Sequence, residues 1–188
     1  GEIWFDGKNL KGENIRRRAR HIGYVMQNPN QMISKTMIFD EVAMGLQGIG
    51  LSEDEIRARV EETLRVCGLY PFRNWPISAL SFGQKKRVTI ASVLVQEPEL
   101  IILDEPTVGL DPKQIIEIRE LIRELAKEHT VILSSHILAE IQEVCDYIMI
   151  ISKGKLVASD TPENLEKLLT NQQTVEILAK GNEDTVRK

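Results

Sequence analysis

The chain has 188 residues, the size of one domain or of one domain with a small subdomain. Hydrophobic residues make up 42% of it and charged residues 28%, which predicts a packed core, and the net charge of −4 argues against a dominant nucleic-acid-binding surface. No apolar run approaches the ~20 residues of a membrane helix, so if the protein serves a membrane, the spanning part is expected on another chain.

The first segment, GEIWFDGKN, looks at first like a phosphate-binding P-loop. It lacks the G-x-x-x-x-G-K-[ST] spacing and the hydroxyl that follows the lysine. Ile3 to Phe5 are instead predicted to form a short strand that turns back at Asp6-Gly7. A second strand, predicted from Ile22 to Met26, brings Gln27 to its carboxyl end.

The middle of the chain is predicted to be mostly helical. Apolar residues recur every fourth position over 53–66, which indicates an amphipathic helix. Ser81 is a good helix cap, and the helix that follows is predicted over 84–96. Because 35–96 interrupts an alternation of strands and helices, we expect it to form a separate helical subdomain.

Two apolar strands follow, and both end in residues suited to chemistry. LIILDEP predicts a strand that carries Asp104 and Glu105 at its carboxyl end, the edge where α/β sheets bind ligands. TVILSSH predicts a second buried strand that ends near His136. Between them, Asp111-Pro112 begins a helix. The chain then continues with a predicted hairpin at Lys153-Gly154 and a short helix that starts at Thr161.

Each candidate site residue has a functional and a structural interpretation. Asp104 is suited to hold Mg²⁺ through water, and Glu105 to polarise an attacking water. Ser81 and Gly83 stand where a helix N-terminus favours an anion. The structural alternatives are a strand that ends in solvated acids and an ordinary capped helix, and the residues taken singly leave both open. His136 alone is also compatible with a structural role.

The order of these motifs is specific, and it resembles the ATP-binding cassette ATPases. Gln27 is similar to their Q-loop, and residues 80–84 are similar to their signature motif, with Phe82 in place of a glycine. Residues 100–105 resemble the Walker B strand and residues 109–111 resemble the D-loop. His136 resembles the switch histidine. The resemblance implies an α/β fold: a P-loop NTPase (RecA-like) ABC ATPase core over 1–34 and 97–170, without its N-terminal P-loop segment, and a helical subdomain over 35–96.

The resemblance also implies a function and a set of site residues. The expected function is ATP hydrolysis by the ATP-binding subunit of a membrane transporter, at the cytoplasmic face of a prokaryotic membrane, with ATP and Mg²⁺. Expected partners are a second cassette, arranged head to tail as a homo- or heterodimer, and transmembrane subunits, and no nucleic acid is expected. The implied residues are Glu105 and His136 for catalysis, Gln27, Ser81, Phe82, Gly83, Gln84 and Asp111 for nucleotide, and Gln27 and Asp104 for metal.

Several expectations concern the limits of this chain. Without a P-loop, the 188 residues are expected to be inactive alone, and the alternative function is a silent cassette that lends its signature to an intact partner. The resemblance places the P-loop strand, which these residues lack, between the strands that end at Glu105 and His136. Without it, the facing edges are expected to pair with each other, to pair with another chain, or to leave the protein poorly folded. Residues 16–111 resemble energy-coupling-factor importers, whereas 112–188 resemble exporters, and 171–188 resemble the start of an exporter's C-terminal extension.

Overall fold

A computed structural model of the chain describes residues 2–170. The chain divides after Val144 into two compact units, which are described separately. The expected C-terminal extension over 171–188 lies outside the described residues.

The first unit opens with the predicted hairpin. Strand β1 (Trp4–Phe5) pairs antiparallel with β2 (Lys8–Asn9). The two turn residues between them, Asp6 and Gly7, have φ of 45° and 72°, the conformation of a tight hairpin turn. The sequence prediction of a strand that turns back here is therefore confirmed. A short helix, α1 (Ile15–Arg18), follows and is capped by Asn14.

A three-stranded parallel sheet carries the polar residues expected at strand ends. It consists of β3 (Ile22–Val25), β4 (Leu100–Asp104) and β5 (Thr130–Ser134), in that order. Strands β4 and β5 pair directly from Leu100 with Thr130 to Asp104 with Ser134. Within residues 2–170 these two strands exchange backbone hydrogen bonds with each other, which is one of the outcomes expected where the P-loop strand is missing.

Strand β5 is less covered than its apolar sequence predicts. Its residues alternate between exposed and half-buried, and Ile132 is 43% exposed. Within residues 2–170 the strand has one neighbour, β4, and so forms an edge of the sheet. The predicted burial of β5 is therefore not observed among residues 2–170.

Helices fill most of the remaining first unit. They are α2 (Ile38–Ala43), α3 (Glu53–Val66), α4 (Phe82–Leu94), α5 (Pro112–Leu125) and α6 (Leu138–Gln142). The predicted helix over 53–66 is confirmed. Helix α4 begins two residues before the prediction, because Ser81 is its N-cap.

Helices and sheet share one apolar core. Its fully buried members come from α2, α3, α4, β4 and α5, among them Val42, Val60, Val88, Leu103 and Ile118. The segment over 35–96 is predominantly helical as predicted, and its independence as a subdomain stays a prediction.

The second unit contains a hairpin and a helix. Strand β6 (Ile148–Ser152) pairs antiparallel with β7 (Lys155–Asp160) across the predicted turn, where Lys153 and Gly154 have φ of 50° and 73°. Helix α7 (Pro162–Thr170) follows. Across the described part of both units, each helix is too short or too polar to cross a bilayer.

Candidate functional site

The carboxylate of Asp104 is held at the carboxyl edge of the parallel sheet. The Tyr24 hydroxyl donates to Asp104 Oδ2 at 3.1 Å, and the Ser134 hydroxyl donates to Oδ1 at 2.6 Å. The three side chains come from three adjacent strands, whose carboxyl ends meet at one edge. The hydrogen bond to this carboxylate raises the pKa of Tyr24 above its ordinary value. The sheet therefore orients both oxygens of the candidate metal ligand.

Glu105 follows directly and has an uncommon backbone conformation. Its φ is 45°, in the left-handed region that few non-glycine residues adopt. Its N–H donates to the Ser134 carbonyl oxygen at 3.1 Å, with the Ser134 hydroxyl oxygen at 3.2 Å. The side chain is 19% exposed, and its buried Oε2 has no hydrogen-bond partner among the described residues. Buried polar atoms without a partner are uncommon in folded proteins, which marks Glu105 as a candidate functional residue.

His136 lies against this carboxylate. Its Nδ1 is 2.9 Å from Glu105 Oε1, and the ring is 69% exposed. Because a carboxylate only accepts, the contact places the proton of a neutral imidazole on Nδ1. The two residues predicted to be catalytic are thus in direct contact.

The N-terminus of α4 is a second cluster. The hydroxyl of Ser81 accepts from the N–H of Gln84 at 3.3 Å, and the Gln84 side chain accepts from the N–H of Ser81 at 2.9 Å. Gly83 is buried, and a Cβ there would lie 2.6 Å from the Gln114 side chain. Its missing side chain therefore serves close packing against α5, and Ser81 and the exposed Phe82 form the open part of this cluster.

Among the described residues, Asp111 and Gln27 make no hydrogen bonds to the residues of these two clusters other than the contacts named below. Asp111 caps α5 and accepts from the N–H of Gln114 at 2.9 Å, which is the structural role expected of it. Gln27 is exposed two residues beyond β3, and its side chain makes no hydrogen bond within residues 2–170. Within residues 2–170 neither side chain makes a hydrogen bond to Asp104 or Glu105.

Comparison with known proteins gives matches along most of the chain. A Clostridium perfringens protein named as an ABC transporter ATP-binding protein is 54% identical over 177 residues, 94% of this chain and 31% of that protein. A similarly named protein of Streptococcus pneumoniae is 52% identical over 88% of this chain and 30% of its own length. The chain thus spans about a third of the curated relatives it matches.

Two solved structures are also similar. One is cbiO1 from Clostridium perfringens, described as part of the ABC transporter complex cbiONQ, with a TM-score of 0.82 and 37% identity over 89% of this chain and 68% of that one. The other is the dimeric ATP-binding cassette MJ0796 in a post-hydrolysis state with ADP and Pi, with a TM-score of 0.73 and 27% identity over 86% of this chain and 73% of that one.

The profile of the ABC transporter family matches residues 1–108. The chain belongs to this family. The predicted fold class, a P-loop NTPase ABC ATPase core, is confirmed by the two solved structures. The Clostridium perfringens relative aligns with 94% of this chain, so both parts of the chain align with one protein.

Sequence reasoning missed several residues that support the site of this ABC transporter chain. Tyr24 and Ser134 hold Asp104, and the only sequence signal for them is a polar side chain near the end of an apolar strand. The buried ammonium of Lys86 donates to two backbone carbonyls, at 2.8 Å to Glu105 and at 2.9 Å to Pro106. Desolvation lowers the pKa of Lys86 to about 8.

A further contact lies beyond β4 in this ABC transporter chain. The buried hydroxyl of Thr107 donates to the Glu140 carboxylate of α6. It links the segment after β4 to the helix that follows His136. No local pattern in the sequence indicates this pair, because its members are 33 positions apart.

Proposed function

We propose that the chain is part of an ATP-hydrolysing cassette of an ABC transporter, with Glu105 as the general base. One observation carries the proposal: Glu105 contacts His136 through one carboxylate oxygen, and its other oxygen is buried without a donor among residues 2–170. The pair stands at the sheet edge beside Asp104. Post-hydrolysis ADP and Pi in a similar cassette support this reaction class.

The proposed reaction transfers the γ-phosphoryl group of ATP to water. The water oxygen bonds to the γ-phosphorus, the bond to the β-phosphate oxygen breaks, and the water proton passes to the Glu105 carboxylate. His136 holds that carboxylate through Nδ1 and exposes the rest of its ring. We propose that the exposed face of the imidazole contacts the γ-phosphate.

The residues at the sheet edge fit a magnesium ion. Asp104 supplies hard oxygens that Tyr24 and Ser134 orient, and the Gln27 amide oxygen is proposed as a further ligand. Within residues 2–170 no cluster of three ligating side chains exists, but Mg²⁺ typically keeps several waters and needs only one or two carboxylates beside the phosphates. When bound, the ion neutralises charge on the phosphates.

The α4 N-terminus is proposed to serve a nucleotide held by a second cassette. Ser81 is exposed, Phe82 lies beside it, and the first turn of α4 contains no acidic residue that would repel a phosphate. We assign Ser81, Phe82, Gly83 and Gln84 to this half-site, with Asp111 fixing the neighbouring loop. The dimeric state of the similar cassette MJ0796 supports a paired arrangement.

A decisive experiment substitutes Glu105 with glutamine in the full-length gene product. Glutamine keeps the shape of the side chain but cannot act as the base. Phosphate release at saturating ATP should fall by a factor on the order of 10²–10⁴, with the nucleotide dissociation constant within about threefold of wild type. Glu128→Gln, an exposed change on the same chain, is the matched control.

The same measurement separates the two candidate functions. The alternative is a silent cassette that only lends residues 81–84, the Ser81 cluster, to a partner. In that case Glu105→Gln should leave turnover unchanged, whereas Ser81→Arg should abolish it. Unchanged turnover in the Glu105 variant would therefore reject catalysis by this chain. Loss in both variants supports hydrolysis at Glu105 and a separate role for Ser81.

We further propose that a transmembrane partner docks on the helical segment, on the cytoplasmic side of a membrane. A cleft of about 430 Å³ lies here, lined by Met37, Phe39, Asp40, Arg57 and Arg73 among others. Its apolar and charged lining suits an amphipathic helix of a partner. Ile38, which lies between Met37 and Phe39 in sequence, is fully buried in the core and is excluded from this surface.

Cysteine crosslinking tests this docking surface. Cysteines placed at Asp40 and at Asn74, both exposed at the cleft, should form a crosslink to a membrane protein in native membranes. A cysteine at Glu128 is the control and should give none. Equal crosslinking from all three positions, or none at the cleft in an intact complex, would reject the surface.

A further inference from the structure

The first two turns of α4 contact the segment that follows β4. Phe82 and Lys86 stand four residues apart on this helix, so they share one face. Both side chains reach residues between Glu105 and Gly109. These contacts connect the helix that begins with the Ser81 cluster to the residue proposed as general base.

Lys86 holds the backbone at Glu105 with two hydrogen bonds. Its ammonium donates to the Glu105 carbonyl at 2.8 Å and to the Pro106 carbonyl at 2.9 Å, and the residue is only 3% exposed. The Glu105 carbonyl also accepts from the N–H of Val108 at 3.3 Å. One peptide plane is thus fixed by the helix and by its own turn.

The conformation of Glu105 needs such support. Its φ of 45° is disfavoured for a residue with a Cβ, and such a backbone persists only where its surroundings hold it. The N–H side of the residue is bonded to Ser134, and the carbonyl side is bonded to Lys86. Because φ sets the direction of the Cα–Cβ bond, holding this backbone aims the carboxylate at His136.

Phe82 supports the same segment at its far end. A Cβ on Gly109, which has φ of 80°, would lie 3.1 Å from the Phe82 ring, so the ring lies close to this glycine. The ring centroid is also 5.7 Å from the Lys86 ammonium. A glycine, the residue that the family usually has at position 82, could make neither contact.

We propose that Phe82 and Lys86 are positioning residues that hold the turn from Glu105 to Gly109 and thereby aim the Glu105 carboxylate. This inference rests on the proposed role of Glu105 and goes beyond it. It assigns the aromatic side chain at position 82 a function that a glycine cannot perform. It also implies that the Ser81 cluster and the turn from Glu105 to Gly109 move together, because α4 contains the first and contacts the second.

Hydrogen exchange tests the mechanical part without any reference to activity. In the full-length gene product, Lys86→Met removes the donors and keeps the apolar length of the side chain. The N–H of Val108 should then exchange at least about tenfold faster, because its acceptor carbonyl is no longer fixed. Lys86→Arg keeps donors and should restore part of the protection. Lys85→Met, the same change on the neighbouring residue, is the matched control and should leave this amide unchanged.

Kinetics test the positioning part. A carboxylate displaced by about 1 Å loses much of its rate advantage, so Lys86→Met should lower kcat by about tenfold to a hundredfold with the KM for ATP within about threefold of wild type. Phe82→Gly should lower kcat by a smaller factor, about threefold to tenfold. Phe82→Leu, which keeps an apolar side chain, should recover most of that loss.

The outcomes separate failure of this inference from failure of the proposed function. If Lys86→Met and Phe82→Gly leave both Val108 exchange and kcat at wild-type values, the inference is overturned, even where Glu105→Gln abolishes turnover. If Glu105→Gln keeps full turnover, the proposed base is wrong, and faster Val108 exchange would support only the mechanical contact. If Lys86→Met fails to fold, Val108 exchange in Phe82→Gly decides, because Phe82 is 37% exposed and this exchange does not depend on the proposed half-site.

Discussion

Helices α3 and α4 begin with the same cap and differ in everything around it. Ser52 and Glu55 form a reciprocal capping box at α3, and Ser81 and Gln84 form one at α4. The first turn of α3 holds three acidic residues that favour its dipole, whereas α4 has none. A serine cap therefore does not by itself mark a functional helix terminus.

The surroundings make the distinction. The cap of α4 continues into a face that contacts Glu105, Pro106 and Gly109 through the side chains of Phe82 and Lys86. Among residues 2–170, the hydrogen bonds of the α3 cap side chains all lie within its own first turn. A functional role is thus expected for a helix cap that lies close to candidate catalytic residues, as the α4 cap does. Substitutions at matched positions of the two helices test this difference.

The largest contrast is expected for a bulky charged residue at the two caps. In the full-length gene product, Ser81→Arg should reduce ATP turnover by at least about a hundredfold, because the side chain blocks the approach of a second cassette. Nucleotide binding by the same cassette should be unchanged. Ser52→Arg should keep turnover within about twofold. Turnover and calorimetric affinity for ATP are measured for both. A fall in affinity equal to the fall in turnover would contradict a role between cassettes.

The sequence predicted the bounds of α3, whereas for α4 it predicted a functional motif without the contacts that support it. The bounds of α3 follow from its four-residue periodicity, which is a local signal and predicted a helix over 53–66. The motif order around α4 predicted a site, but its physical basis was hidden, since Lys86 donates to carbonyls 19 and 20 positions away. No periodicity encodes a contact of that kind.

Strand order was hidden for the same reason. The apolar runs LIILDE and TVILSSH predicted two strands, β4 and β5. Which strands are neighbours depends on long-range packing, and the direct pairing of β4 with β5 is one of the outcomes that the sequence left open. The contact of Glu105 with His136 follows from that pairing, because it brings the two strand ends together.

A second contrast concerns the glycines near the two helices. Gly50 precedes the α3 cap and Gly109 lies against Phe82, with φ of 89° and 80°. Alanine at either position costs roughly 1–2 kcal/mol for the left-handed backbone. Gly109→Ala should cost more, because its Cβ would lie 3.1 Å from the Phe82 ring, whereas at Gly50 nothing lies within 4 Å. Denaturant unfolding measures both costs.

The double variant Gly109→Ala with Phe82→Gly isolates the contact. Removing the ring should recover the extra cost of the alanine and leave the backbone cost. The two substitutions should therefore be non-additive, as expected for residues in contact. If Gly50→Ala and Gly109→Ala lower the free energy of unfolding equally, the Phe82 ring does not pack against Gly109.

A smaller contrast is expected when only the capping hydroxyl of each serine is removed. Ser52→Ala and Ser81→Ala should each lower the free energy of unfolding by ~1 kcal/mol, since each removes one cap. This corresponds to a fall in Tm of about 2–4 °C. Only Ser81→Ala should also lower ATP turnover. If both variants lose turnover in proportion to their stability, the Ser81 cluster has no role beyond capping.

The smallest contrast is a pH dependence that only one cap has. The N–H of Ser52 donates to Glu55 at 2.7 Å, and this bond lowers the pKa of that carboxyl below its ordinary value. A carboxyl with a lowered folded pKa stabilises the protein above its unfolded value of ~4.3, and this contribution is lost as pH falls through the folded pKa. Glu55→Gln should therefore lower Tm slightly at pH 7, and the difference from wild type should shrink below about pH 4. Gln84 does not titrate, so the shift caused by Gln84→Met should stay constant over the same range. Thermal unfolding of both variants at pH 7 and pH 3.5 makes the comparison, and a Glu55→Gln shift that keeps its size at acid pH would remove the carboxylate from the α3 cap.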